Sequence, residues 1–211
     1  MYLLSSTGAL DGSVELPHRH TSSGGKTSLM ATAPAIRIAA LTLLAWAGLL
    51  GGCAAPAASD AMIPETASVE KTHPYSVNVD VTGGRATEPI GQPQVANEAF
   101  TEAITETLIK TKTFAKVKKN KAGNYRVSVI IFNVQQPSSS SGGSASVTME
   151  TGWTLTNLLT GDIVWQKALR STYTAASDSD ITFTGRLKQA VEGVARDNIK
   201  QGVTEIMRLS L

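Results

Sequence analysis

The sequence is poor in the residues from which most catalytic and metal sites are built. Its 211 residues include one cysteine, three histidines and only 5% aromatic residues. A single cysteine excludes an internal disulfide framework. The formal net charge of +2 is too small to predict binding to a polyanion from the total charge. The apolar fraction of 42% is nevertheless enough for one modest core.

The recognisable catalytic motifs are missing as well. Downstream of Cys53 the one histidine is His73, which alone does not make a histidine-rich zinc site. No G-x-S-x-G segment provides a serine nucleophile. The segment "SSGGKTS" resembles a nucleotide-binding loop, but His20 stands where that motif requires its first glycine. We therefore expect no enzymatic activity, no metal and no cofactor.

The cysteine lies at the end of an export-type segment. Arg37 precedes an uncharged apolar stretch over residues 38–50. This stretch is too short for a membrane span of about 20 residues, but it suits the signal-peptide core of about 7–15 residues. We expect the signal peptide to cover residues 30–52, with residues 1–29 a non-native or disordered extension. The sequence leaves open whether translation starts at Met1 or Met30.

The residues Leu50, Gly51, Gly52 and Cys53 resemble the lipobox of bacterial lipoproteins. The resemblance implies that a signal peptidase recognises the residues before Cys53 and cleaves there, and that the cysteine sulfur and new amino terminus carry acyl chains such as palmitate. Several acyl chains anchor a protein stably, whereas one is marginal. Because Ala54 is not aspartate, the resemblance also implies sorting to the outer membrane, facing the periplasm, with surface exposure left open. The alternative is a short buried helix with an incidental cysteine.

After the cysteine, the composition changes twice. Residues 53–73 are rich in alanine, proline and serine and have no hydrophobic period, which predicts a flexible tether. The alternative is that part of this segment packs as an extended arm. Residues 74–211 carry the regular hydrophobic patterns of a folded periplasmic domain.

Those patterns predict an α+β fold. Alternating apolar residues predict strands over residues 75–81, 124–134, 145–158 and 163–174, the second being central with both faces at least partly covered. Apolar stripes at helical spacing predict helices over residues 95–110 and 184–209. The order β-α-β-β-β-α predicts a mixed four-stranded sheet with two helices on one face. Gly193 and Gly202 suggest close packing of the last helix on the sheet.

Acidic residues form two groups. Glu98, Glu102 and Glu106 recur every four residues on the first helix, which predicts a solvated face opposite its apolar stripe. The alternative is a carboxylate pair for acid–base chemistry. Asp178 and Asp180 precede the last helix, where capping is the expected role and contact with a cation the alternative.

Two surface features are candidate contact sites. The run "KTKTFAKVKKNK" could meet lipopolysaccharide phosphates, anionic lipid or an acidic partner, or could be a connecting loop whose lysines discourage edge pairing. Its lysines are Lys110, Lys112, Lys116, Lys118, Lys119 and Lys121. Trp153 and Trp165 are predicted to share one face of a hairpin and form a second contact surface. An exported chain whose basic run holds one aromatic residue is not expected to bind nucleic acid. The Ser/Gly-rich residues 137–144 are expected to form a flexible hairpin loop without a role of its own. The alternative is that this loop becomes ordered on a partner.

The lipobox and the element order together resemble small envelope lipoproteins of the lipopolysaccharide-assembly type, and more loosely those of curli secretion. The hairpin and the last helix resemble an uncharacterised set of proteobacterial lipoproteins. The resemblance implies an outer-membrane-anchored, non-enzymatic binding or scaffolding module in envelope assembly or maintenance, with an envelope protein or glycolipid as partner. The alternatives are a periplasmic carrier of a small ligand, lipid or glycolipid, which predicts co-purifying lipid, and a hydrolase with two buried acids facing one cleft.

Overall fold

A computed structural model describes residues 55–65, 72–120, 122–137 and 143–211. The predicted signal peptide, the lipobox with Cys53, Lys121 and most of the Ser/Gly-rich loop lie outside the described residues. The elements are a short 3₁₀ turn Asp60–Met62, β1 His73–Thr82, α1 Asn97–Lys110, β2 Phe114–Val117, β3 Tyr125–Gln135, β4 Ala145–Asn157, β5 Ile163–Ala175 and α2 Phe183–Met207.

The strands form one mixed sheet in the order β2-β1-β3-β4-β5. β1 is parallel to both β2 and β3, and the pairs β3–β4 and β4–β5 are antiparallel. The predicted α+β class and mixed sheet are confirmed, but the predicted count of four strands is wrong. The missed strand, β2, has four residues and lies inside the lysine-rich run. So short a segment shows no alternation of its own, and it becomes a strand by pairing with β1.

Both helices contact the same face of the sheet. The hydrophobic core lies between the helices and the sheet. The apolar stripe predicted for α2 is buried along its length. The close packing predicted for its glycines is also confirmed. A Cβ atom added at Gly193 would lie 2.4 Å from Cδ1 of Tyr173, and one added at Gly202 would lie 2.7 Å from Cε2 of Trp153. These positions exclude any larger residue unless the sheet moves away.

The opposite face of the sheet carries no helix of the described chain. On β3 the side chains of Ile130 and Phe132 are 48% and 61% exposed. The register of β3 with β4 shifts between Ile131 and Asn133, so Phe132 is the extra residue of a β-bulge. Its ring lies over Gly152, where a Cβ would be 2.6 Å from Cζ. The prediction was that both faces of this strand are at least partly covered. The outer face is covered only in its first half, where Ser128 is half-buried, and it is open at Ile130 and Phe132.

Part of the predicted tether is packed. Ala57 and Met62 are buried in the hydrophobic core. The backbone N–H of Ala58 donates to Glu192 Oε1 of α2 at 3.0 Å. These contacts agree with the alternative that this segment packs as an arm, and we call residues 57–64 the N-terminal arm. No helix of the described part of the chain is long and apolar enough to cross a membrane.

Candidate functional site

His73 is a core residue. It is 1% exposed and begins β1. Its Nε2 lies 3.0 Å from the carbonyl oxygen of Ile206 in α2, which accepts a hydrogen bond, and its ring lies 5.1 Å from that of Phe114. The histidine therefore ties the start of the sheet to the end of α2.

The predicted tryptophan surface requires a correction. Trp153 and Trp165 do share one face of the β4–β5 hairpin, as the register shows. That face is the one the helices cover. Trp153 is fully buried, and its Nε1–H is 3.0 Å from both Thr151 Oγ1 and Asn198 Oδ1. Trp165 is partly buried against the core. Alternation places the two rings together, but only the tertiary structure decides which face of the hairpin is covered.

The lysine run is not a single connecting loop. Lys110 ends α1, Lys112 has a left-handed φ of 50° in the turn, and Lys116 lies in β2. Lys118 and Lys119 follow β2 directly, the first half-buried and the second exposed. The described lysines therefore surround a short edge strand, and their role as a contact surface stays a prediction.

A groove opens where β2 stops. The register of β1 with β2 ends at the pair Val77–Val117, and the Lys118 N–H donates to the Val77 carbonyl oxygen at 2.8 Å. Beyond Val77, β1 continues to Thr82 and pairs only with β3. Half of β1 is thus an edge, although the strand starts inside the sheet.

The free edge presents unpaired backbone groups. In a parallel ladder, alternate residues direct both N–H and C=O toward the same neighbour. The His73 N–H and the Val77 carbonyl both bond on the β2 side, so Val79 and Val81 direct their groups to that side too. There they have no partner among the described residues. Four backbone hydrogen-bonding groups therefore face the groove.

The wall opposite this edge is the acidic side of α1. The groove has a volume of about 490 Å³. Its charged lining residues are Asp80, Glu98, Glu102, Glu106, Lys118 and Lys119. The three glutamates were predicted to form a solvated face, and Glu98 and Glu102 are indeed exposed. Sequence reasoning missed that they share a groove with a strand edge, because this depends on where β2 ends.

A hydrolase of the kind considered above needs two buried acids that face one cleft, and the groove does not provide them. None of its four carboxylates is buried: Asp80, Glu98 and Glu102 are exposed and Glu106 is half-buried. Glu192 is a buried acid elsewhere, and it accepts a hydrogen bond from the N-terminal arm. Within the residues that the structure describes, no three His, Cys, Asp or Glu side chains are grouped so as to hold a metal ion.

At its centre, the space between the helices and the sheet is filled by large side chains. Trp153, Phe100 and Met149 are among the largest fully buried ones. A carrier would need a ligand cavity in this layer, of the kind that encloses most of a ligand's surface. The centre of this layer is therefore occupied, and the groove between α1 and β1 is open and lined by charged residues, so neither favours an enclosed carrier pocket.

The capping role predicted for the acidic cluster before α2 is only indirect, because Thr182 caps the helix and Asp180 holds Thr182 in place. Asp180 Oδ1 accepts hydrogen bonds from the Thr182 N–H at 2.7 Å and from its Oγ1 at 3.0 Å. Thr182 is the N-cap, and its Oγ1 accepts from the Gly185 N–H at 3.0 Å. The hydrogen bonds from the Thr182 backbone and hydroxyl lower the pKa of Asp180.

No family model matches this chain, and no curated protein matches its sequence. Solved structures match its fold. A Xanthomonas campestris protein of the DUF330 family has a TM-score of 0.50 at 13% identity, with 69% of this chain and 91% of that one covered. A Chlamydia trachomatis protein has a TM-score of 0.47 at 12% identity over 64% and 96%. A candidate lipoprotein from Caulobacter crescentus has a TM-score of 0.44 at 10% identity over 62% and 87%. At such identities the likeness concerns the fold alone.

Proposed function

We propose that the protein is an envelope lipoprotein, anchored in the outer membrane through Cys53 and facing the periplasm, whose folded domain is a non-enzymatic binding or scaffolding module. The lipobox-like residues that end at Cys53 support the anchor, and one structural observation supports a domain held close to it. Ala57, only four positions after Cys53 in the sequence, is already buried in the core. An extended chain spans at most about 3.6 Å per residue, so the folded domain begins within about 15 Å of the lipidated residue.

The N-terminal arm converts the anchor into a positional constraint. The arm is attached to α2 by the bond from the Ala58 N–H to Glu192, and Arg196 Nη1 donates to the Ala61 carbonyl oxygen at 3.4 Å. A domain joined to its anchor by so short a linker stays next to the bilayer, whereas a long tether would let it move freely. Confinement of this kind raises the effective concentration of the domain at a partner in the same membrane.

The surface supports binding better than catalysis. The β1 groove combines a free strand edge with charged walls, which suits recognition of another molecule. The lysines around β2 add a basic surface, which would attract the phosphate groups of a glycolipid or an acidic protein. Both features are open to solvent and need no chemical step. The proposed partner is therefore an envelope protein or a glycolipid.

Metabolic labelling with an alkyne analogue of palmitate tests the anchor. We expect label on the wild-type protein and none on Cys53→Ala. Membrane fractionation should place the wild type with the outer membrane and shift Ala54→Asp toward the inner membrane. Equal labelling of the Cys53→Ala variant, or a wild-type protein that fractionates without membranes, would contradict the proposal.

A photocrosslinker at position 118, used in intact cells, tests the module. We expect a discrete protein partner that the anchored chain captures and Cys53→Ala does not. Capture of glycolipid alone would count against a protein scaffold and identify a glycolipid as the partner, whereas capture of nothing would contradict the binding module. Lipid that co-purifies with the protein would favour the carrier.

A further inference from the structure

We propose that the β1 groove binds an extended peptide segment with basic side chains at alternate positions, which pairs with the free edge of β1 as an added strand. This peptide would be the partner of the proposed binding module, so the inference rests on that proposed function. It follows from three properties of the groove: its unpaired backbone groups, its shape and its charge.

The backbone groups argue for a strand as the occupant. Val79 and Val81 direct N–H and C=O groups into the position that β2 would occupy if it were longer. An extended peptide in that position can form up to four hydrogen bonds with them. Addition of a strand to an exposed sheet edge is a recurrent mode of peptide recognition, in which the main chain provides affinity.

The shape limits the occupant to a single short strand. The groove of about 490 Å³ lies between β1 and α1. It is closed at one end, where Lys118 bonds to Val77, and the free edge extends from there to Thr82. A strand advances about 3.3 Å per residue, so this edge pairs with about five residues. A whole helix, with a diameter of about 10 Å, does not match an unpaired edge of this kind.

The charge selects the side chains. Side chains of an added strand alternate between the two faces of the sheet, and every second one faces α1. On α1 they meet Glu98, Glu102 and Glu106, while Asp80 adds a fourth carboxylate to the groove. The lysines at the closed end provide two positive charges against these four negative ones. Basic residues at alternate positions therefore complement the helix wall, whereas acidic residues there are repelled.

The test uses the full chain in neutral detergent and a fluorescent, amidated hexapeptide of sequence TKVKVT. We expect saturable binding of this peptide and at least about tenfold weaker binding of TEVEVT. The variant Glu98→Gln/Glu102→Gln should weaken binding about fivefold. The matched control is Glu65→Gln/Glu88→Gln, which removes two exposed glutamates outside the groove and should leave binding unchanged.

Two methylated peptides test the strand pairing separately from the charge. One is N-methylated at its lysines and the other at its valines. Alternate amides of a strand face opposite sides, so only one form should lose binding, by about tenfold. In spectra of ¹⁵N-valine-labelled protein, the amides of Val79 and Val81 should shift on binding, whereas that of Val129 should not. Equal binding of both methylated forms, or of TEVEVT, would overturn the inference.

The outcome is separable from that of the proposed anchor. Cys53→Ala should bind TKVKVT as well as the wild type does, because residue 53 is not part of the groove. Loss of membrane anchoring with peptide binding retained would refute the proposed envelope function alone. Anchoring at the membrane without peptide binding would refute this inference alone.

Discussion

The indole ring of Trp153 in β4 lies against the backbone of Gly202 in α2. A Cβ atom added at residue 202 would be 2.7 Å from Cε2 of the ring and 2.8 Å from Cδ2 and Cε3. The ring is fully buried, so it has no free space into which to retreat. This contact sets the distance between the last helix and the centre of the sheet.

Gly202→Ala should therefore destabilise the fold although alanine is the better helix former. The propensity gain is about 1 kcal/mol, and overpacking of a filled core typically costs about 1–3 kcal/mol. We expect a net loss of stability in urea denaturation. Lys200→Ala, at an exposed position of the same helix, is the control and should be close to neutral. A more stable Gly202→Ala would show that the ring and helix can separate at little cost.

Asn198 connects three buried polar groups. Its Oδ1 accepts from Thr151 Oγ1 at 2.8 Å and from the Trp153 indole, and its Nδ2 donates to Ser171 Oγ at 3.2 Å. Asn198→Leu leaves buried partners unsatisfied and should cost about 1–3 kcal/mol. Adding Thr151→Val removes one orphaned donor, so the double variant should lose less than the sum of the single losses. Strict additivity in urea denaturation would mean that the two side chains are not coupled.

The N-terminal arm should contribute to stability through Met62, which is fully buried. Met62→Ala removes most of a core side chain, a change that typically costs about 2–5 kcal/mol. The matched control is Glu65→Ala, because Glu65 lies near the end of the arm and is exposed. The measurement is the urea midpoint of the full chain. Equal midpoints for the two variants would indicate that the arm is detached in solution.

The cap of α2 should make stability depend on pH. Hydrogen bonds from Thr182 lower the pKa of Asp180 in the folded protein. The resulting stabilisation is present above the ordinary aspartate value of about 3.9 and is lost as the pH falls through the lowered folded value. Asp180→Asn should therefore be less stable than the wild type at pH 7, with the difference shrinking toward about pH 2.

Asp178→Asn is the control for this pH effect, since Asp178 is exposed. It should follow the wild type at both pH values. A constant difference between Asp180→Asn and the wild type across the acid range would show that the carboxylate charge does not contribute to the cap.

The long elements were predictable because each has a clear period. The last helix was expected over residues 184–209 and is observed over Phe183–Met207, and the hairpin strands differ from expectation by one residue. Their apolar residues are numerous enough to fix both the type of element and its buried stripe. The lipobox-like residues up to Cys53 are likewise a local pattern. They lie outside the described residues, so the anchor stays a prediction.

Local patterns did not decide what depends on neighbours distant in the sequence. β2 is a strand because β1 lies beside it, and Trp153 is buried because α2 covers that face of the hairpin. The candidate groove exists because β2 ends at Val117 while β1 continues to Thr82. The sequence by itself determined the helices and the long strands, and it predicts the anchor. The tertiary structure alone decided which face of the hairpin is covered and which edge of β1 is free, since both depend on which distant segment lies alongside.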